Sequence, residues 1–169
     1  ATADAMRRAG MKVVEVAVAE TKNVTGATGQ TVVADSLIGD IDTSDAEWII
    51  IPGGQPGADN LHASSRVNAI IKSHWDGGGK IASICAGPAV VLARTGILKG
   101  KKATCYPGLG EMIEAAGGVY QKAPVVIDGN LITSEGPGTT LQFAKAVIAA
   151  SLGEQTADKV GDSMLVEAL

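Results

Sequence analysis

Residues 81–96 read IASICAGPAVVLARTG, an apolar strand-like run that passes straight into a helix-like run with Cys85 at the join. Ser83 and Gly87, two residues to either side, are both small. A nucleophile elbow, the strand-to-helix turn that holds its central residue in a strained conformation, needs small residues at those two positions. The helix predicted after it would aim free amides and a positive dipole end at the sulfur, which favours the thiolate. In that arrangement the Ala86 amide can donate to an oxyanion. The competing reading is a buried structural cysteine, since a free thiol packs well as a small apolar group.

PGGQPG, at 52–57, supplies a complement to the elbow. Gly53 and Gly54 at a strand end let backbone amides approach a ligand closely, so the stretch is either an amide donor for an oxyanion beside Cys85 or a plain tight turn. As a dinucleotide loop the stretch lacks the Gly-x-Gly-x-x-Gly spacing and a suitable acidic residue, so it predicts no nucleotide cofactor. Cys105 follows a predicted strand near the elbow. It is either a resolving thiol for oxidised Cys85 or a small apolar residue lining the pocket. His62 and His74 have no ligand spacing and read as surface residues. The acidic cluster Asp40, Asp42, Asp45 and Glu47 lacks the glycine and bidentate glutamate of a calcium loop and reads as a solvated loop. No metal is expected, and Glu135 reads as a surface residue.

The elements that must position these residues alternate along the chain. A helix end (1–10) stops at Gly10, a strand follows over 11–19, and a polar loop or short hairpin occupies 21–31. Strands at 48–51, 80–84 and 101–106 alternate with helices at 64–76, 86–95 and 108–118. Asp-Gly-Asn at 128–130 marks a hairpin, and two helices close the chain, the second running from Thr156 through the last residues. Such alternation predicts an α/β fold, a mostly parallel sheet with helices on both faces, with function at the carboxyl ends of the strands. No linker or second domain is visible, so 1–169 reads as a single domain.

Composition narrows the class. Of 169 residues, 46% are hydrophobic but only 3% aromatic, with 22 glycines. The core must therefore be Val, Ile, Leu and Ala, the usual content of buried parallel strands. A net charge of −4 without a Lys/Arg run argues against nucleic acid as partner. No apolar run reaches membrane-spanning length. Two cysteines make no disulfide framework, and no signal-like run opens the sequence, so the expected setting is the reducing cytoplasm.

IIIPGG, then IASICAGPAVVLARTGILKGKKAT and ITSEGPGTTLQFA, together resemble the ThiJ/PfpI family, closest to its parkinsonism-associated protein deglycase branch, the DJ-one superfamily. MRRAGMKV and TADKVGDSMLV fit the same pattern, so the resemblance covers essentially the whole chain. It implies a flavodoxin-like three-layer α/β sandwich, usually a homodimer, with Cys85 as the reactive residue and no cofactor. It matches Gly54 and Ala86 to the amides facing the oxyanion, and Gly136 and Pro137 of GPGT to the turn beside the site. Family members are assigned glyoxalase, deglycase, redox-sensing and chaperone roles against oxidative stress. The protease branch has histidine directly after the cysteine; Ala86 stands here, so peptidase activity is not expected. Tyr106 occupies the place where the deglycase branch often has histidine, and tyrosine is a poor base at neutral pH.

The same resemblance implies a first, central strand followed by a glutamate that bonds the thiol. Aligned on MRRAG, both fall before Ala1. The expectation is therefore a separate N-terminal segment, non-covalently held, that returns the strand and the carboxylate. Two function classes follow. In one, Cys85 attacks an α-oxoaldehyde such as methylglyoxal, or a glycated adduct, and the glutamate relays the proton. In the other, Cys85 is a sensor oxidised to sulfenate or sulfinate without turnover.

Overall fold

The computed structural model describes residues 1–166, so the last three residues of the predicted closing helix lie outside the described residues. Helix α1 (Thr2–Arg8) buries Ala5 and Met6 and carries Arg7 and Arg8 in its last turn, where cations suit the dipole. The strand expected over 11–19 contributes only β1 (Val16–Ala17). Upstream of it side chains hold the backbone instead: Arg7 donates to the Val13 carbonyl at 3.2 Å, and the Glu15 N–H donates to the Asp35 carboxylate at 2.8 Å. An antiparallel hairpin, β2 (Asn23–Thr25) and β3 (Thr31–Val33), is exposed throughout. Then β4 (Ser36–Leu37) pairs in parallel with β1.

The main sheet begins with β5 (Trp48–Ile51), four bulky residues of which the first and last are buried. After it come α2 (Gly57–Ala63) and α3 (Ser65–Asp76), the latter capped by the Ser64 hydroxyl, which accepts from the Val67 N–H. Strand β6 (Lys80–Ile84) leads through Cys85 into α4 (Gly87–Val90) and a 3₁₀ turn at Leu92–Arg94. The chain continues with β7 (Lys102–Ala103), α5 (Gly110–Ala115), β8 (Val119–Tyr120), β9 (Val125–Asp128) and β10 (Leu131–Ser134). It closes with α6 (Thr140–Leu152) and α7 (Glu154–Ser163). The strand order is β5-β6-β10-β9, with only β9 antiparallel.

Successive side chains of a strand point to opposite faces, and the two cores divide accordingly. Ile81 and Leu131 pack with Val67, Ile71, Val91 and Leu92 on one side of the sheet. Their neighbours Ala82 and Ile132 pack with Met6, Phe143 and Val147 on the other. The result is the flavodoxin-like α/β sandwich.

Besides the 11–19 strand, three elements depart from the sequence expectation. Helix 86–95 is a single α-turn and a 3₁₀ turn, because paired Val90 and Val91 lose side-chain freedom in a helix and the Thr95 hydroxyl donates to the Leu92 carbonyl at 2.7 Å. The strand over 101–106 shrinks to β7, since the Thr104 N–H donates to the Thr133 hydroxyl rather than to a ladder. Helix α2 arises between the strand 48–51 and the helix 64–76, where the sequence reading places no element. It carries His62, which is half-buried with Nε2 2.9 Å from Arg94 Nη1. His74, likewise half-buried, sets its ring against Gly79 and its Nε2 3.0 Å from the Lys80 carbonyl. Neither is a free surface histidine.

Candidate active site

Cys85 has φ of +65°, a left-handed conformation that non-glycine residues adopt rarely and at a cost of about 1–3 kcal/mol. The strain is held from several sides. The Cys85 N–H donates to the Ser134 carbonyl at 2.9 Å, and its carbonyl accepts from the Tyr106 N–H at 2.8 Å. The wholly buried Ser83 hydroxyl donates to the Ile51 carbonyl at 3.1 Å and ties β6 to β5 one turn below.

Glycine is required at two contacts around this turn. A Cβ on Gly53 would stand 2.6 Å from the Cys85 Cβ and 2.7 Å from the Ala86 nitrogen. A Cβ on Gly87 would run into the Ser83 hydroxyl and the Pro52 carbonyl. Small residues at 83 and 87 thus serve two different purposes: Ser83 bonds across to β5, and Gly87 leaves room for it.

The N–H groups of Gly54 and Ala86 find no acceptor among the described residues. Gly54 has φ of +82° with open space around its Cα, whereas Ala86 is buried. Ala86, the residue after the half-buried Cys85, offers an unspent donor able to hold an oxygen that gains negative charge, and Gly54, next to the Gly53 that touches Cys85, offers a second one step further out. Because α4 is one turn long, what stands next to Cys85 is this local amide set rather than the end of a long helix.

Tyr106 is exposed, and its ring lies 3.5 Å from where a Cβ on Gly136 would stand. The Thr139 hydroxyl closes the turn, donating to the Gly136 carbonyl at 2.9 Å and standing 2.6 Å from the Ser134 hydroxyl. Pro137 sits exposed at the start of this turn. Cys85, Gly53, Ala86 and Tyr106 therefore meet directly, Gly136 joins through Tyr106, and Gly54 and Pro137 stand one step further out. Cys105 is wholly buried. Burial, with smaller contributions from the charges of Cys85 and Glu135, pushes its thiol up to about 11. Glu135 is half-buried rather than on the surface.

Sequence reasoning missed Ser134, whose carbonyl fixes the Cys85 amide. The β10–β6 register that sets Ser134 against Ile84 leaves no mark in the sequence beyond the small polar residue at a strand end. A surface groove between the 41–43 loop and the Arg66–Ser73 flank of α3 is lined by none of the elbow residues.

The model of the DJ-1/PfpI family matches residues 1–150. The chain belongs to this family. Protein DJ-1 homolog A of Arabidopsis thaliana is 36% identical over 161 residues, covering 95% of this chain and 41% of the relative. The glutathione-independent glyoxalase DJR-1.2 of Caenorhabditis elegans is 34% identical, with 91% of this chain and 81% of the relative covered. Oxidised DJ-1 of Toxoplasma gondii superposes with a TM-score of 0.94 at 35% identity, covering 99% of this chain and 90% of that one. The chain spans about two fifths of the length of the two Arabidopsis relatives. No helix among the described residues is long and apolar enough to cross a membrane.

Proposed function

We propose that the chain forms the working part of a cofactor-independent glyoxalase or deglycase acting through Cys85 on small α-oxoaldehydes or their glycation adducts. The observation that carries this is the left-handed Cys85 elbow with the unspent Ala86 amide beside it and the unspent Gly54 amide one step further out. The glyoxalase name of the worm relative supports the reaction class.

In the proposed reaction the Cys85 sulfur adds to the aldehyde carbon of methylglyoxal and the carbonyl oxygen takes a proton, giving a hemithioacetal. Transfer of the C1 proton to C2 converts it to a thioester, and water releases lactate and the thiol. The two amides hold the oxygen on which charge develops. Tyr106, exposed and packed over Gly136, positions substrate. The proton shuttle is a carboxylate from a segment outside residues 1–169 that adds a strand to the outer edge of β5. In support, β5 pairs with β6 on one edge only among the described residues. The proposed assembly is a cytoplasmic homodimer, to be measured by light scattering.

The test is lactate formation from methylglyoxal by protein carrying its own upstream residues. Cys85→Ser lowers turnover by at least about 10³-fold, while Tyr106→Phe costs less than about tenfold. A Cys85→Ser protein that keeps a tenth of its activity moves the chemistry elsewhere. Hydrogen exchange tests the strand: alternate amides of Trp48–Ile51 are protected in the longer protein and unprotected in residues 1–169.

A further inference from the structure

Two thiols lie at the elbow, and the reaction proposed above uses one of them. The Tyr106 N–H donates to the Cys85 carbonyl at 2.8 Å, so the peptide joining Cys105 to Tyr106 faces the peptide that follows Cys85. Backbones joined by such a bond run about 5 Å apart, comparable with the Cα separation of about 4.4–6.8 Å that a disulfide needs, and the charge of Cys85 is felt at the Cys105 thiol. Cys85 is half-buried and Cys105 wholly buried. Cys105 belongs to the same apolar cluster against which Cys85 packs. An oxidant from solvent reaches Cys85 first, and the group best placed to reach the Cys105 sulfur is then Cys85 itself.

We propose that Cys105 is the resolving thiol for oxidised Cys85, closing an intramolecular Cys85–Cys105 disulfide in response to hydroperoxides. The proposal rests on the reactivity of Cys85 argued above, and not on glyoxalase turnover. In the first step the Cys85 sulfur attacks one peroxide oxygen and the O–O bond breaks. The far oxygen takes the Cys85 proton and leaves, as water from hydrogen peroxide or as the alcohol from an organic hydroperoxide, and Cys85 becomes a sulfenic acid. In the second step the Cys105 sulfur attacks the Cys85 sulfur, the S–O bond breaks, and the oxygen leaves as water with the Cys105 proton. Two thiols lose two hydrogens and two electrons, and one hydroperoxide is fully reduced.

This pairing has a kinetic signature. A buried thiol whose charged form is disfavoured resolves slowly at neutral pH and faster as pH rises. Excess peroxide therefore carries Cys85 past sulfenate to sulfinate, whereas equimolar peroxide gives the bridge. The bridge exposes only its Cys85 end to small thiols, so reduction begins there and restores both groups.

The test is intact mass and peptide mapping of the protein after equimolar hydrogen peroxide. The expected product is about 2 Da lighter, with a Cys85–Cys105 cross-linked peptide that a small dithiol reverts. Its rate of closure rises by at least about tenfold from pH 7 to pH 9. In Cys105→Ala and Cys105→Ser the same treatment yields Cys85 sulfinate, about 32 Da heavier. A wild-type protein that goes directly to sulfinate with Cys105 still a free thiol overturns the inference and leaves Cys85 reactivity standing. A Cys85 that reacts with neither peroxide nor iodoacetamide overturns the reading beneath it as well.

Discussion

The turn at Cys85 and the segment from Val13 to Leu37 both lie outside the four-stranded sheet, yet their irregular stretches are held in opposite ways. At the elbow each deviation is fixed by buried backbone: Ser134 and Tyr106 grip Cys85, and Gly53 is pressed against it from a neighbouring strand. In the other segment exposed side chains do the holding. Arg7 bridges Glu15 and Asp35 at 3.0 Å each, and Lys22 reaches the Asp35 carbonyl at 2.7 Å. Solvent-exposed ion pairs are worth about 0–1 kcal/mol each, while an elbow locked by close backbone contact cannot relax without moving two strands. A strained functional conformation persists where its surroundings over-determine it, and in this chain that holds at Cys85 and not in the hairpin region.

Substitutions on the two sides break the comparison most directly. Gly53→Ala drives a methyl group into the Cys85 Cβ and the Ala86 nitrogen, and overpacking of this kind costs about 3 kcal/mol. Urea denaturation should show that loss, together with slower alkylation of Cys85. A Gly53→Ala protein of unchanged midpoint means the elbow is more pliable than described.

Alkali gives the next largest effect. The Cys105 thiol is raised from 9.0 to about 11 in the folded protein, so its contribution is complete below pH 9 and fades as pH rises through 11. The difference in stability between wild type and Cys105→Ala should shrink across that window by about 2 kcal/mol. A difference constant from pH 8 to 11 removes the buried-thiol account.

Val33→Ser, on the exposed hairpin, gives the smallest change, within about 0.5 kcal/mol. Calorimetry that finds a loss above 2 kcal/mol would mean the hairpin is packed against something in solution.

The same contrast explains what could be read from the sequence. Trp48–Ile51 and Ile81–Ile84 are unbroken apolar or small runs because both faces of their sheet are covered, and such runs stand out. The elbow was legible because Ser83 and Gly87 meet a steric demand local to five residues. Segments whose conformation depends on a distant partner were not legible. β8 is two residues long and exists only against β7. The 11–19 run resembles a strand, but Arg7 takes its Val13 carbonyl and the Asp35 carboxylate takes its Glu15 N–H. Ser134 enters the site through inter-strand register, which no local pattern encodes.

Among the described residues β5 is paired on one edge only, and this has a colloidal consequence. Its outer edge carries the run Trp-Ile-Ile-Ile, without charge, glycine or proline, followed at once by Pro52. Runs of this composition with unpaired backbone groups are templates for edge-to-edge association and cross-β stacking. Whatever covers that edge thereby acts as a gatekeeper for solubility, and the proline immediately after it limits how far a misregistered partner strand can extend toward the elbow.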